Sequence, residues 1–134
     1  MEGFDYIVVG AGSAGCVLAA RLGEDPDVRV LLLEAGGPDA NPDIHIPSRA
    51  WQVWMTADDW WYPTTPQSGQ SNRSLFLPRG KVLGGSSSIN GTIYIRGFSG
   101  DYDHWAYLGN VGWDYESVLP YFKKSEDYYG GANE

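Results

Sequence analysis

Apolar and polar positions fall into a regular order over the first quarter of the chain. Residues 4–9 (Phe-Asp-Tyr-Ile-Val-Val) are apolar almost throughout, the pattern of a short buried strand. Gly10 to Gly15 interrupt it. From Ser13 to Leu22, Val17, Leu18 and Leu22 fall on one helical face, with Ala14, Ala19 and Ala20 beside them, which predicts a helix. Gly23 and the polar run 24–27 end it, and Val28 to Leu33 form a second apolar strand. Strand, glycine turn, helix and strand within about 30 residues make a βαβ unit with an expected right-handed crossover.

Beyond residue 36 the periodicity changes. Residues 38–47 hold three prolines and read as an ordered loop, and residues 51–62 carry four tryptophans. Residues 63–74 are polar and turn-rich, Leu75 to Leu77 read as a short strand, and residues 81–88 form a second glycine-rich loop. Thr92 to Ile95 again look strand-like. Residues 101–108 and 114–124 look helical, with Asp114 as N-cap and Pro120 as an expected kink. The chain thus divides into a βαβ unit (4–36), a loop and aromatic segment (37–78), a second glycine segment (79–97) and a helical segment (101–128). Residues 129–134 read as a small, polar end.

Composition sharpens this picture. Gly makes up 18 of the 134 residues, and hydrophobic residues 43%, enough to expect a packed core. The net charge of −8, with no basic stripe, argues against nucleic acid and anionic membrane. Yet no Asp or Glu occurs from Trp60 to Gly100, where Arg73, Arg79, Lys81 and Arg96 lie. That segment suits an anionic ligand. The single cysteine, Cys16, excludes an internal disulfide and reads as a small buried helix residue. No signal peptide is recognisable at Met1-Glu2-Gly3, and no apolar run reaches the roughly 20 residues of a membrane span. A reducing, cytoplasmic setting is expected. His45 and His104 stand apart from paired bases or acids and read as structural, and no metal set is evident. The aromatic cluster Trp51, Trp54, Trp60, Trp61 and Tyr62 reads as packing rather than a substrate channel.

Gly10-Ala11-Gly12-Ser13-Ala14-Gly15 fits G-x-G-x-x-G and sits between a strand and a helix. Glu34, at the end of the next strand, follows Gly15 by 19 residues, against about 20 in dinucleotide-binding units. Gly10 permits the tight turn, Gly12 close approach to a pyrophosphate, and Gly15 helix-on-strand packing. The helix N-terminus, at Ser13 and Ala14, offers N–H groups and a partial positive charge to phosphate. Glu34 would accept the adenosine ribose hydroxyls and repel a 2′-phosphate. The motif alone leaves FAD and NAD open.

The stretch Gly80-Lys81-Val82-Leu83-Gly84-Gly85-Ser86-Ser87-Ser88-Ile89-Asn90, with Tyr94, Gly97 and Asp103 beyond it, resembles the first signature of the glucose-methanol-choline (GMC) flavoprotein family. So do residues 5–15, Leu32-Leu33-Glu34-Ala35-Gly36, Trp61-Tyr62, Arg96-Gly97, residues 101–105, Gly112-Trp113 and Leu119-Pro120-Tyr121-Phe122. The resemblance spans residues 4 to 131 and implies FAD as cofactor, on a Rossmann-like α/β unit. It implies that Val82, Gly84 and Gly85 line the flavin, and that Asn90, Gly91, Thr92 and Ile93 contact flavin or its phosphates. Gly10, Gly12, Ser13, Ala14, Gly15, Glu34 and Ala35 would hold the rest of the dinucleotide. Where some members tether FAD through a histidine, this chain has Ile89, so its FAD is expected to be noncovalent.

The resemblance also implies a catalytic base in a C-terminal part that nothing in this chain matches. Two parallel strands and one crossover helix cannot cover both sheet faces. The chain is therefore expected to be incomplete as an α/β fold and inactive alone, completed by a second chain that carries the remaining strands and the substrate domain. Three functions stay open at this point: an FAD-dependent alcohol oxidase or dehydrogenase, a hydroxynitrile-type lyase with non-redox FAD, and a non-catalytic nucleotide-binding module.

Overall fold

Tyr6–Val9 (β1) and Val30–Leu33 (β2) pair in parallel, with Tyr6 opposite Val30 and Val9 opposite Leu33. This computed structural model describes residues 3–131; the chain ends at Met1–Glu2 and 132–134, including the last part of the small polar end, lie outside the described residues. Asp5 fixes the register. Its N–H donates to Arg29 O at 2.9 Å while its Oδ2 accepts the Arg29 N–H at 2.8 Å. Between the strands runs the helix α1, Ser13–Leu22, so the expected βαβ order is present. β2 starts two residues later than the apolar run, because Val28 N closes a turn on Asp25 O.

Two compact units divide the chain, Met1–Ile93 and Tyr94–Glu134. In the first, the proline-rich loop becomes two 3-10 turns, Pro42–His45 and Pro47–Gln52. Asn41 caps the former through the Asp43 N–H and reaches Asp58 with its own amide. Tyr62–Pro63 (β3) pairs antiparallel with Phe76–Leu77 (β4), and the polar residues between them form the tip. The buried core is small: Val53, Val82 and Ile89, with Ile44 against them. It joins the aromatic segment to the second glycine loop, and Trp54 Nε1 donates to Ile89 O at 2.8 Å.

In the second unit, Ser99–Tyr107 (α2) and Tyr115–Ser125 (α3) pack through rings. Tyr102 meets Phe122 edge-on at 5.5 Å, and Trp105 meets Trp113 at 5.8 Å. Asp114 caps α3 by accepting the Ser117 N–H at 3.0 Å. Arg96 pairs with Glu126.

Two expectations are corrected. Thr92 to Ile95 form no strand; Thr92 has φ +56°, its N–H turns back to Asn90 Oδ1, and Ile93 and Ile95 are exposed. Cys16 is exposed rather than buried, and its thiol donates to Ala11 O. Pro120 lies inside α3, which runs unbroken from Tyr115 to Ser125.

Candidate functional site

The first glycine turn begins where β1 stops. Gly10 has φ +96°, and its N–H donates to Leu33 O at 2.7 Å, which ties the turn to the end of β2. A Cβ on Gly15 would stand 1.9 Å from Gly10 O and 3.3 Å from Val8 Cγ1, so only glycine lets α1 start this close beneath the turn. The helix ladder opens with Cys16 N donating to Gly12 O. The N–H groups of Ser13, Ala14 and Gly15 therefore precede it and have no acceptor within the helix. Gly12 brings no side-chain cap, and the first turn carries no acidic residue. The positive end of α1 is thus without a side-chain cap.

Glu34 sits at the C-terminal end of β2. Its Oε2 accepts the Ala11 N–H at 2.7 Å and its Oε1 the Gly36 N–H at 2.9 Å. The Gly36 N–H holds the carboxyl below its usual range; partial burial works the other way, and the Ala11 and Ala35 N–H groups add to the lowering. Each carboxylate oxygen retains lone-pair capacity for ribose hydroxyls.

The second glycine loop closes on the first. Gly84 N donates to Ala11 O and Leu83 N to Gly37 O, both at 2.8 Å. A Cβ on Gly85, whose φ is +57°, would stand 2.8 Å from Gly12 Cα. One on Gly36 would stand 2.1 Å from Lys81 O. The two loops thus meet backbone to backbone, which side chains would forbid. Gly85 opens the 3-10 turn Gly85–Ser88, and Ser86 Oγ accepts the Gly80 N–H.

A cleft of about 740 Å³ opens where these parts converge. Val9, Gly10, Gly12, Leu33, Glu34 and Ala35 line it from the βαβ unit, together with Trp60, Tyr62, Arg79, Gly80, Gly85 and Ser86. Of the residues expected at the cofactor, Gly10, Gly12, Glu34, Ala35 and Gly85 line it. Ser13, Ala14 and Gly15 form the helix start beside it. Val82 is fully buried, its side chain packed with Val53 and Ile89. Gly84, Asn90, Gly91, Thr92 and Ile93 are not part of the cleft lining, and the last four are exposed.

Val9, Leu33, Trp60, Tyr62, Arg79, Gly80 and Ser86 line the cleft without having been assigned to the cofactor from the sequence, and Trp60, Tyr62 and Arg79 bring the large side chains among them. Trp60 and Tyr62 stack at 5.7 Å with 9° between their planes, and the Lys81 ammonium lies 4.8 Å over the Trp60 ring. The signal available for them was the acid-free, basic stretch that begins at Trp60. Asp59, just before it, was also missed. It is the buried charged residue among those described. Burial raises its pKa, but the Met55, Arg79, Trp61 and Trp60 N–H groups outweigh that and leave it below the usual range. His45 bonds to Asp39 O, and His104 stacks on Tyr107. No cluster of potential metal ligands occurs among the described residues.

The family model described as GMC oxidoreductase matches residues 4–132. An oxygen-dependent choline dehydrogenase of Sinorhizobium fredii is 50% identical over 130 residues, covering 96% of this chain and 24% of that protein. A mitochondrial choline dehydrogenase of Mus musculus is 50% identical over 140 residues, covering 97% and 23%. Among solved structures, pyridoxine 4-oxidase from Mesorbium loti superposes with a TM-score of 0.89 at 41% identity, over 96% of this chain and 26% of that one. An FAD-dependent oxidoreductase from Chaetomium thermophilum superposes with a TM-score of 0.76 at 40% identity, over 92% and 21%. The chain spans about a quarter of the length of the curated relatives it matches.

Proposed function

Because the chain belongs to the GMC oxidoreductase family, we propose that it is the FAD-binding portion of an enzyme that oxidises an alcohol. The observation that carries this reading is the closure of two glycine loops, at Gly12 and Gly85, beside the uncapped start of α1 and the carboxylate of Glu34. The fit is chemical as well as spatial. N–H groups at a helix N-terminus suit a pyrophosphate, and a carboxylate at the end of the second strand suits ribose hydroxyls. Bound there, FAD would supply a hydride acceptor for a CH–OH substrate. This chain's residues bind and orient: Ser13, Ala14 and Gly15 offer N–H groups to phosphate, Glu34 accepts from ribose, and Gly85 keeps the backbone low. The base that takes the hydroxyl proton is proposed to lie in a part of the fold outside this sequence.

The FAD is proposed to be noncovalent, because Ile89 is an apolar side chain packed in the core with Val53 and Val82. A primary alcohol is the proposed substrate class. Choline is the first compound to test, since relatives 50% identical to this chain are named for it. The test is made on the assembled protein. It should be yellow, release its flavin into the supernatant on acid precipitation, and lose flavin absorbance when choline or another primary alcohol is added without oxygen. Flavin that stays on the denatured chain contradicts the noncovalent reading. Flavin that no alcohol bleaches contradicts the redox reading.

A further inference from the structure

We propose that Asp59 is a positioning residue that holds Trp60, Tyr62 and Arg79 as the wall of the cleft facing the adenosine half of the dinucleotide. The proposal rests on the reading of the cleft as an FAD site. Asp59 is 6% exposed, yet no cationic side chain pairs with it among the described residues. Its partners are backbone. Oδ2 accepts the Met55 N–H at 3.0 Å, and Oδ1 accepts the Trp61 N–H at 3.2 Å and the Arg79 N–H at 2.9 Å. These donors come from two segments 20 residues apart, which the carboxylate clamps together. Trp60 N completes the clamp by donating to Arg79 O at 2.9 Å.

The clamped backbone is unusual. Met55 and Trp61 both have positive φ, +59° and +58°, in a region that such bulky side chains avoid. A local twist of this kind persists only where the surroundings over-determine it, and a buried acceptor for several N–H groups does so. Trp60 and Tyr62 line the cleft and Trp61 between them does not. Trp60 then stacks on Tyr62 within the cleft, beneath the Lys81 ammonium. Glu34 and Ala35 line the same cleft. A ribose held by Glu34 carries an adenine that must lie in the same cleft. A flat base beside stacked rings and two cations, with its phosphates nearby, is the complementary ligand.

Asp59→Asn keeps the shape of the side chain but replaces one acceptor oxygen by a donor that faces N–H groups. In the assembled apoprotein, D59N should weaken FAD binding at least tenfold and leave FMN binding, which lacks the adenosine, within about twofold. W60L, at a residue 39% exposed, should do the same. Because Asp59 acts through the wall, D59N should cost little further in a W60L background, a non-additivity expected of coupled residues. Equal losses for FAD and FMN in D59N would show general destabilisation and overturn the proposal. So would unchanged FAD affinity in W60L, a result that stands even where D59N fails to fold. If the wild-type apoprotein binds neither FAD nor ADP, the FAD reading itself fails.

Discussion

Glu34 carries two tasks that compete for one carboxylate. It accepts the N–H of Ala11, a fully buried residue of the glycine turn, as well as that of Gly36. Glu34→Gln therefore leaves an amide NH₂ against a backbone donor. Each unsatisfied buried donor costs about 1–3 kcal/mol, so E34Q should lower the melting temperature and weaken FAD binding together. Unchanged values of both would show that the carboxylate is needed for neither. The folded carboxyl has a depressed pKa, so its stabilisation is present above the ordinary value of 4.5 and is lost as pH falls through the lower folded value. A denaturation series between pH 6 and about 3 should show less acid loss in E34Q than in wild type. Gly85→Val tests the loop contact at the same scale. The new side chain would meet Gly12 at φ +57°, and overpacking of this kind costs about 1–3 kcal/mol. Gly69→Val, with nothing within 4 Å, should be neutral in thermal denaturation. Equal melting points for the two would remove the loop contact from the account.

Among the elements, α3 shows how local chemistry survives an internal proline. Asp114 caps its start, Glu116 lies in the first turn, and Lys123 and Lys124 lie in the last, an order that matches the helix dipole. These terms and the packing of Phe122 on Tyr102 keep the helix continuous through Pro120. Ser117 hydrogen bonds, side chain first and backbone second, hold the Asp114 carboxyl below its ordinary 3.8. The cap should therefore persist above pH 3.8 and disappear as pH falls through the lower folded value. Asp114→Ala should reduce helicity by circular dichroism at neutral pH and remove that acid step; a spectrum identical to wild type at both pH values would show that the cap contributes nothing. In β1 and β2, by contrast, the full apolar run overstates each strand at its start. Pairing is limited by the turn at Val28 and by Asp5, which uses its side chain to anchor the first residue of the ladder.

At the scale of the whole molecule, the surface is more apolar than the core is large. Ile7 on β1 is 61% exposed and Leu18 on α1 is 54% exposed, while the buried cluster holds three side chains. Exposed apolar surface on this scale marks an interface. We propose that it packs against further parts of the GMC fold, on the same or a second chain. Leu18→Glu and Ile7→Glu should leave the βαβ unit able to form but abolish assembly with those parts, read by size-exclusion chromatography, and flavin should be lost with it. Assembly with normal flavin content in both variants would overturn this. A 134-residue chain that is a monomer with bound FAD and a sharp thermal transition would overturn it too. No helix among the described residues is long and apolar enough to cross a membrane.

What depends on near neighbours along the chain could be read before any folding was known. The order of β1, α1 and β2, the turn at Gly10, the cap at Asp114 and the position of Glu34 all follow from periodicity, backbone sterics and short-range hydrogen bonding. The second glycine loop was legible as a place of close approach. What it approaches was not, because the contact of Gly85 with Gly12 spans 73 residues and follows from packing alone. The same reason hid Asp59, whose clamp on Arg79 exists only once two distant segments are brought together. It also hid the turn of Val82 into the core, since one apolar residue beside glycines can face either way. Thr92 to Ile95 went the other way: β-branched residues favour a strand, but with no partner strand to pair with among the described residues, the Asn90 side chain captures the Thr92 N–H and fixes a turn instead.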